Sequence, residues 1–252
     1  MLNILLCGCG GRMGAALSAA AAAAGDRIVA GVDINPTAAN PYPVYTSAEE
    51  FGGKADVIVD FSHHSALSGL LAYAERTETP IVVCTTGHNE EELAEMKAAS
   101  ARVPVFFSRN MSLGINLLMA LCRKAAATLG ADFDVEIIEK HHNKKLDAPS
   151  GTALMLADCI KDADTSAAHP YVYERESSRR QRARGEIGIS AVRGGTIVGE
   201  HEVMFCGKDE VITLSHSAAS REVFATGALR AAHFMKGKPA GFYNMDDVVN
   251  TL

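Results

Sequence analysis

The 252-residue chain has no tryptophan, and none of its six cysteines (Cys7, Cys9, Cys84, Cys122, Cys159 and Cys206) forms a C-x-x-C pair. Without such pairs there is no case for a dithiol redox centre. Several of the thiols lie in apolar runs, where cysteine behaves as a small hydrophobe, so a reduced, cytoplasmic protein is expected. Positive charge is also short: 24 Lys and Arg against 30 Asp and Glu leave a formal net charge of −6. That balance argues against a nucleic-acid partner, and the local basic run Arg179 to Arg184 reads as a solvated loop. No run is long and apolar enough for a membrane span to be expected. Met1 to Leu6 carries no basic leader and runs straight into a glycine-rich turn, so it reads as a first strand and not as a signal peptide. What remains, 48% hydrophobic and 21% charged residues, is an ordinary globular composition with enough chain for one large domain or two modest ones.

Asn3 to Cys7 is a short apolar run, followed by Gly8-Cys9-Gly10-Gly11-Arg12-Met13-Gly14 and an alanine-rich helical stretch to Ala24. Strand, glycine turn and helix in that order suit a dinucleotide, because glycines let the backbone approach a pyrophosphate whose charge then sits on the helix N-terminus. Gly8 and Gly10 match the G-x-G start, but the third glycine of the usual fingerprint falls on Met13; read as Gly8, Gly11 and Gly14 the rhythm is G-x-x-G-x-x-G. A second buried strand, Arg27 to Val32, ends at Asp33, about 20 residues after the glycines, where a carboxylate can bind the adenine ribose hydroxyls of NAD. A plain turn residue before Pro36 is the competing reading of Asp33.

Beyond a loop over Ile34 to Tyr45, Ser47-Ala-Glu-Glu50 reads as a capping box. Strands at Val57 to Asp60, Ile81 to Cys84 and Val103 to Phe107 alternate with helices at Ala66 to Arg76 and Glu90 to Ala101. Such alternation means a parallel sheet with ligands at the carboxyl ends of its strands. Gly8 to Gly14, Asp33, Thr85-Thr86 and Ser108 to Met111 all fall at those ends, and His63 and His64 fall at a helix start near the same rim.

An apolar helix, Leu113 to Leu129, leads to a strand ending at Ile138 and then to the loop Glu139-Lys-His-His-Asn-Lys-Lys-Leu-Asp-Ala-Pro-Ser-Gly-Thr-Ala153. His141 can exchange a proton near neutral pH, Lys144 and Lys145 add fixed positive charge, Ser150 is a good N-cap, and Gly151 lets an anion approach the first amides of the next helix. A metal site on His141, His142 and Asp147 is the weaker reading, since neighbouring side chains on an extended segment diverge and adjacent lysines repel a cation. Strands at Ile187 to Arg193, Thr196 to Phe205 and Val211 to Ser217, joined by Gly194-Gly195 and Gly207-Lys208-Asp209, are expected to form antiparallel hairpins. The fold class is therefore α/β, a Rossmann-like domain plus an α+β domain with an open mixed or antiparallel sheet. The expected boundaries are 1–112 with 222–252 for the dinucleotide-binding domain and 113–221 for the substrate-binding and oligomerisation domain. Ala219 to Met235 returns to helix, and the tail folds back on the first domain.

Along its whole length the sequence resembles the 4-hydroxy-tetrahydrodipicolinate reductase (dihydrodipicolinate reductase) family. The resemblance rests on Glu136 to Ala153, Gly10-Gly-Arg-Met-Gly14, Val59-Asp-Phe-Ser62, Thr85-Thr-Gly87 and Arg193-Gly-Gly-Thr-Ile-Val-Gly-Glu-His201. It implies NAD(P)H-dependent reduction in lysine and diaminopimelate biosynthesis, with His141 as proton donor or acceptor and Lys145 as second proton donor. His142, Ser150, Gly151 and Thr152 would bind the dicarboxylate substrate. NADH or NADPH would lie on Gly8, Cys9, Gly10, Gly11, Arg12 and Met13, on Asp33, on Cys84, Thr85 and Thr86, and on Ser108, Arg109, Asn110 and Met111. No metal is expected, and the family implies a homotetramer joined through the second domain's sheets. Another two-domain nicotinamide-dependent dehydrogenase, or a non-catalytic NAD sensor, are the alternatives. Cys84 departs from the glycine common before the two threonines, and Ser108-Arg-Asn-Met from an alanine-rich start.

Overall fold

The computed structural model describes residues 1–36, 40–177 and 179–251. Residues 37–39 of the loop expected over Ile34 to Tyr45 lie outside the described residues. The chain divides into two units, Met1–Leu113 with Arg221–Leu252, and Gly114–Ser220.

In the first unit the chain alternates strand and helix: β1 (Asn3–Cys7), α1 (Arg12–Ala23), β2 (Arg27–Val32), β3 (Val44–Tyr45), β4 (Val57–Asp60), α2 (Leu67–Thr77), β5 (Ile81–Val83), α3 (Glu90–Ala99) and β6 (Pro104–Phe107). It then passes through the second unit as α4 (Leu113–Leu129), β7 (Asp134–His141), α5 (Gly151–Ala163), β8 (Tyr171–Val172), β9 (Ile187–Arg193), β10 (Gly199–Cys206) and β11 (Val211–Ala218). It returns with α6 (Glu222–Met235), β12 (Gly241–Tyr243) and α7 (Met245–Thr251).

The first sheet is parallel throughout, in the order β12-β6-β5-β4-β1-β2-β3. Its inner strands β1, β4, β5 and β6 are buried on both faces, as a parallel sheet requires, while β3 and β12 at the edges are half-buried. In β1, Ile4 and Leu6 point into the core shared with α1 and α6, while Leu5 and Cys7 point into the core shared with α2 and α3. That alternation is the period of two of an extended chain. Strand order reverses between β1 and β4, which places a crevice at their carboxyl ends. The tail does fold back on the first unit, adding β12 beside β6.

The second unit corrects one expectation. Its sheet is mixed, in the order β11-β10-β7-β9-β8, and β7 lies between β9 and β10. β10 and β11 form the expected antiparallel hairpin, but β9 runs parallel to β7, so Gly194-Gly195 closes no hairpin. That segment crosses the end of β7 instead: Gly194 N donates to His141 O at 2.9 Å, and Asn143 N donates to Gly195 O at 3.3 Å. Glycine at 195 allows the positive φ of 49° that the crossing uses. Glycine turns are a local signal, and here the pairing is set by the βαβ crossover through α5.

One face of this sheet packs Val135, Ile137, Ile189, Val203 and Phe205 against Ile115, Leu118 and Cys122 of α4 and Leu156 and Ile160 of α5. The other face carries partly exposed residues such as Glu136, Ile138, Lys140 and Glu202. A second correction concerns α4: the helical stretch Leu113–Asp132 is 20 residues long with mean hydropathy 1.2, and so meets the length and composition of a membrane span. Part of its apolar content is the stripe Ile115, Leu118, Met119, Cys122 and Ala126, which is core of the second unit, whereas Leu117 and Leu121 are 48% and 46% exposed. Smaller differences follow from element length. β3, β8 and β12 are two or three residues long, too short for periodicity to show. Ser47 caps only the short turn Ala48–Glu50, and Glu50 accepts from Thr46 Oγ1 instead of completing a capping box.

Gly14 tests the packing of the first turn. A Cβ there would lie 2.4 Å from Gly8 O and 2.7 Å from Cys9 Cα, backbone atoms that cannot swing aside. Gly14→Ala is expected to lower stability by about 1–3 kcal/mol in urea unfolding. Gly69→Ala, on α2 with nothing within 4 Å of its Cβ position, should raise it by about 0.8–1 kcal/mol.

Candidate functional site

At the carboxyl end of β1 the chain must turn under β4. Gly8 has φ +75°, and a Cβ on it would lie 2.4 Å from Phe61 O, so only glycine fits. Gly11 is the N-cap of α1, and its amide donates to Gly8 O at 3.2 Å. Gly8 and Gly14 are the two glycines of the turn that backbone contacts require, and both readings of it begin at Gly8; a Cβ on Gly10 would lie 3.0 Å from Asp33 Oδ2, while one on Gly11 would make ordinary contact at 3.4 Å with Gly8 O. Asp33, at the end of β2, accepts from Gly10 N at 2.9 Å and from Asn35 N at 3.0 Å. It therefore holds the glycine turn as well as facing the rim.

Two cavities open on this rim. One of about 620 Å³ is lined by Gly8, Gly10, Gly11, Asp33 and Asn35. The other, of about 390 Å³, is lined by Met13, Cys84, Thr85, Thr86, Asn110 and Met111. Phe61, Ser62 and His63 line both, so the turn after β4 is where the two meet. Asp60 anchors that turn: it is 1% exposed and accepts from Ser62 N at 2.9 Å and Thr85 Oγ1 at 2.8 Å. Burial pushes its carboxyl up despite the hydrogen bonds from Ser62 and Thr85.

Arg109 lines the second cavity beside Asn110. Cys9 and Ser108 turn inward instead: Cys9 is 2% exposed, with its thiol where a Gly31 side chain would sit, and Ser108 Oγ donates to Asn110 O at 2.9 Å. Arg12 stands exposed at the start of α1. Phe224, at the start of α6, joins the wall of the second cavity; nothing local in the sequence marks a residue that reaches the rim from more than a hundred positions away.

In the second unit the buried row of β7 runs Val135, Ile137, Glu139, His141. Residues two apart on a strand share a face, so Glu139 and His141 stand together, and that spacing is a signal for Glu139 which the sequence analysis left unused. Glu139 is fully buried and accepts from both terminal guanidinium nitrogens of Arg193 at 2.7 Å and from Ser150 N at 2.9 Å, and its Oε2 lies 2.6 Å from His141 Nδ1. Burial alone would push its carboxyl up, but the hydrogen bonds from Arg193, His141 and Ser150 together hold it below the ordinary carboxylate range. Arg193 also donates to Asp147 O at 2.7 Å, so it grips the middle of the loop.

Ser150 caps α5, its Oγ accepting from Ala153 N at 3.1 Å. The same Oγ lies 3.1 Å from His201 Nε2, and the His201 ring stands edge-on to His141, centroids 5.2 Å apart. Burial, and then the positive charge of His141, push His201 down to about 4, so it is neutral near pH 7. Gly151 is exposed, and a Cβ there would meet nothing within 4 Å; packing does not demand glycine, and space is left over the helix start. Lys145 Nζ lies 2.8 Å from Asp147 Oδ1. His142 Nδ1 is buried with no hydrogen-bond partner among the described residues. Among those residues no three of His, Cys, Asp and Glu converge as metal ligands. Arg193 and His201 were legible only as parts of a motif, since register across β7, β9 and β10 brings them to the loop.

Residues 2–111 match the family model for the N-terminus of dihydrodipicolinate reductase, and residues 114–249 match the one for its C-terminus. The 4-hydroxy-tetrahydrodipicolinate reductase of Caldanaerobacter subterraneus subsp. tengcongensis is 50% identical over 250 residues, covering 99% of this chain and 98% of that protein. Its counterpart from Clostridium tetani is 47% identical over 252 residues, covering 100% and 98%. Among solved structures, dipicolinate-bound dihydrodipicolinate reductase from Paenisporosarcina sp. TG-14 superposes with a TM-score of 0.80 at 25% identity, over 97% of each chain.

Arg193→Met should expose how much the buried carboxylate depends on its partner. Removing one side of a buried ion pair costs about 3–5 kcal/mol, read as a lower urea midpoint at neutral pH. Because Glu139 is held low in the folded chain, its stabilisation is present above the unfolded carboxyl value and is lost as pH falls through the folded value. In Arg193→Met the folded value rises, so the acid limb of the stability profile should move to higher pH.

Proposed function

The chain belongs to the dihydrodipicolinate reductase family and carries out its reaction, the pyridine-nucleotide-dependent reduction of 4-hydroxy-tetrahydrodipicolinate in lysine biosynthesis; we propose that His141 and Lys145 are its proton donors. The observation that carries this assignment is the pairing of His141 with a buried, ionised Glu139 at the end of β7, beside the N-terminus of α5.

The rim of the first unit fits a dinucleotide. Gly8 and Gly14 leave no room for a side chain, and the two cavities share the turn after β4. Gly8 to Met13 and Asp33 would hold the adenosine and pyrophosphate half, and Cys84 to Thr86 with Ser108 to Met111 the nicotinamide half, Cys9 and Ser108 through their backbone. When bound, the nicotinamide supplies hydride.

The remaining chemistry belongs to side chains of the second unit. Reduction of a cyclic, conjugated imine leaves electron density that a proton must neutralise. His141 has Nδ1 engaged by Glu139, which leaves Nε2 to exchange that proton, and the Lys145 ammonium is the second source. The substrate's two carboxylates need cations or helix-end amides. Gly151, with open space over the first turn of α5, and Thr152, Ser150 and His142 around it would bind one of them. The dipicolinate in the Paenisporosarcina enzyme is a dicarboxylate of the class this reading requires.

Asp33 places a negative charge in the wall of the larger cavity, where it would repel a 2′-phosphate, and Ile34 and Asn35 bring no compensating charge. Arg12, exposed at the start of α1, could supply one, so the enzyme is proposed to use both cofactors, with NADH at least as good as NADPH. The partly exposed face of the second sheet, including Val192 at 44% and Val211 at 55% exposure, is where a homotetramer would form. Cysteines without a C-x-x-C pair, five of the six buried, and a nicotinamide-dependent activity favour a reducing, cytoplasmic setting.

His141→Ala and Lys145→Ala should each cut kcat about 100-fold or more while the Kd for NADH, measured by fluorescence titration, stays within about twofold. Wild-type turnover in both would remove the assignment. Side-by-side kinetics should give a kcat/KM for NADH no lower than for NADPH, and a strong NADPH preference would overturn the role given to Asp33.

A further inference from the structure

Glu139 stands outside the residues so far assigned to chemistry, yet its geometry constrains His141 more tightly than any other contact. We propose that Glu139 is a positioning residue that holds His141 in the tautomer with its proton on Nδ1, leaving Nε2 as the nitrogen that meets substrate, with Arg193 and the Ser150 amide fixing the carboxylate. The proposal rests on the reading of His141 as a proton donor only for its effect on rate.

Glu139 Oε1 accepts from Arg193 at 2.7 Å and from Ser150 N at 2.9 Å, and Oε2 accepts from Arg193 at 2.7 Å. A guanidinium and a backbone amide can only donate, and the positive charge of a guanidinium bound through two nitrogens favours the ionised carboxylate, which has no proton of its own to give. The fourth partner, His141 Nδ1 at 2.6 Å, must then be the donor. In a neutral imidazole, a proton on Nδ1 leaves Nε2 bare; in the imidazolium, Nε2 carries the proton that can be given away.

The surroundings of Nε2 agree. A side chain on residue 199 would begin 3.1 Å from that nitrogen, and Gly199 leaves the place empty. His201, whose ring faces His141, is neutral near pH 7 and brings no competing charge. The carboxylate itself cannot rotate, because Arg193 grips it with two bonds from β9 while Ser150 N fixes it from the start of α5. The aim of the ring is thus set from two secondary-structure elements at once.

A merely structural Glu139 would hold the loop without deciding where the proton sits, so the test reads the proton directly. Histidine-selective 15N spectra of the wild type, with His141→Asn used to assign the signal among nine histidines, should show His141 protonated on Nδ1 in its neutral form. In Glu139→Gln the side-chain amide offers a donor to the ring, and the proton should move to Nε2. kcat should fall about 100-fold or more with the KM for NADH little changed, while the thermal midpoint falls because Arg193 loses its charged partner.

A wild-type ring protonated on Nε2, or a tautomer that does not move in Glu139→Gln, overturns the proposal whatever the rates. If the tautomer moves as expected but His141→Ala turns over like wild type, the hold of Glu139 on the ring stands and the catalytic reading of His141 falls. Should Glu139→Gln not fold, the wild-type spectrum alone decides.

Discussion

A carboxylate sealed from water is the constraint on which the second unit depends. Glu139 is fully buried, and an isolated charge in such a place costs several kcal/mol unless every lone pair is engaged. The engagement comes from separate parts of the chain: Arg193 at the end of β9, Ser150 at the start of α5 and His141 on Glu139's own strand. Because each donor must arrive at a fixed distance, the strand end, the helix start and the glycine crossover over β7 are located together. Arg193 extends the control to the loop by donating to Asp147 O. Hydrophobic packing would be satisfied by several arrangements of this loop, but four directed bonds on one carboxylate accept few.

The first unit solves a different problem, bringing backbone close to backbone. Gly8 passes beneath Phe61, and Gly14 packs on Gly8. Both contacts sit where strand order reverses, so the crevice proposed to receive a dinucleotide is a by-product of topology, and the glycines keep it open. Asp60 extends the same logic by tying the turn after β4 to Thr85 after β5.

Much of this was legible in the sequence because it is local. Strand, glycine turn and helix at Asn3 to Ala24, the rim residues at strand ends, and the N-cap at Ser150 all depend on propensity, periodicity and φ preferences within about ten residues. What was missed depends on pairing between distant strands. Gly194-Gly195 has the composition of a hairpin turn, yet β7 separates the strands it joins, and its amide and carbonyl brace the loop instead. Phe224 reaches the proposed cofactor rim after an excursion through the whole second unit. Glu139 lay between these cases: its spacing from His141 was readable, but its importance came from burial and from Arg193, neither of which one strand reveals. Helix α4 was misjudged for a related reason, since its apolar residues satisfy the composition of a membrane span while serving as one face of a core.

The two proposed proton donors are held in unlike ways, and the difference follows from exposure. Lys145 pairs with Asp147, whose side chain is 58% exposed, and an ion pair so open to water contributes about 0–1 kcal/mol and breaks at little cost. His141 is tied to a sealed carboxylate that cannot move without exposing Arg193's partner. A flexible ammonium can follow a negatively charged ligand wherever its charge lies, because its three donors need no particular orientation. An imidazole exchanges a proton along one direction in the plane of its ring, and a small rotation removes it from reach. Firm aim therefore matters for the histidine and freedom matters for the lysine. The loop supplies each by placing the histidine's partner inside the sheet and the lysine's partner at the surface.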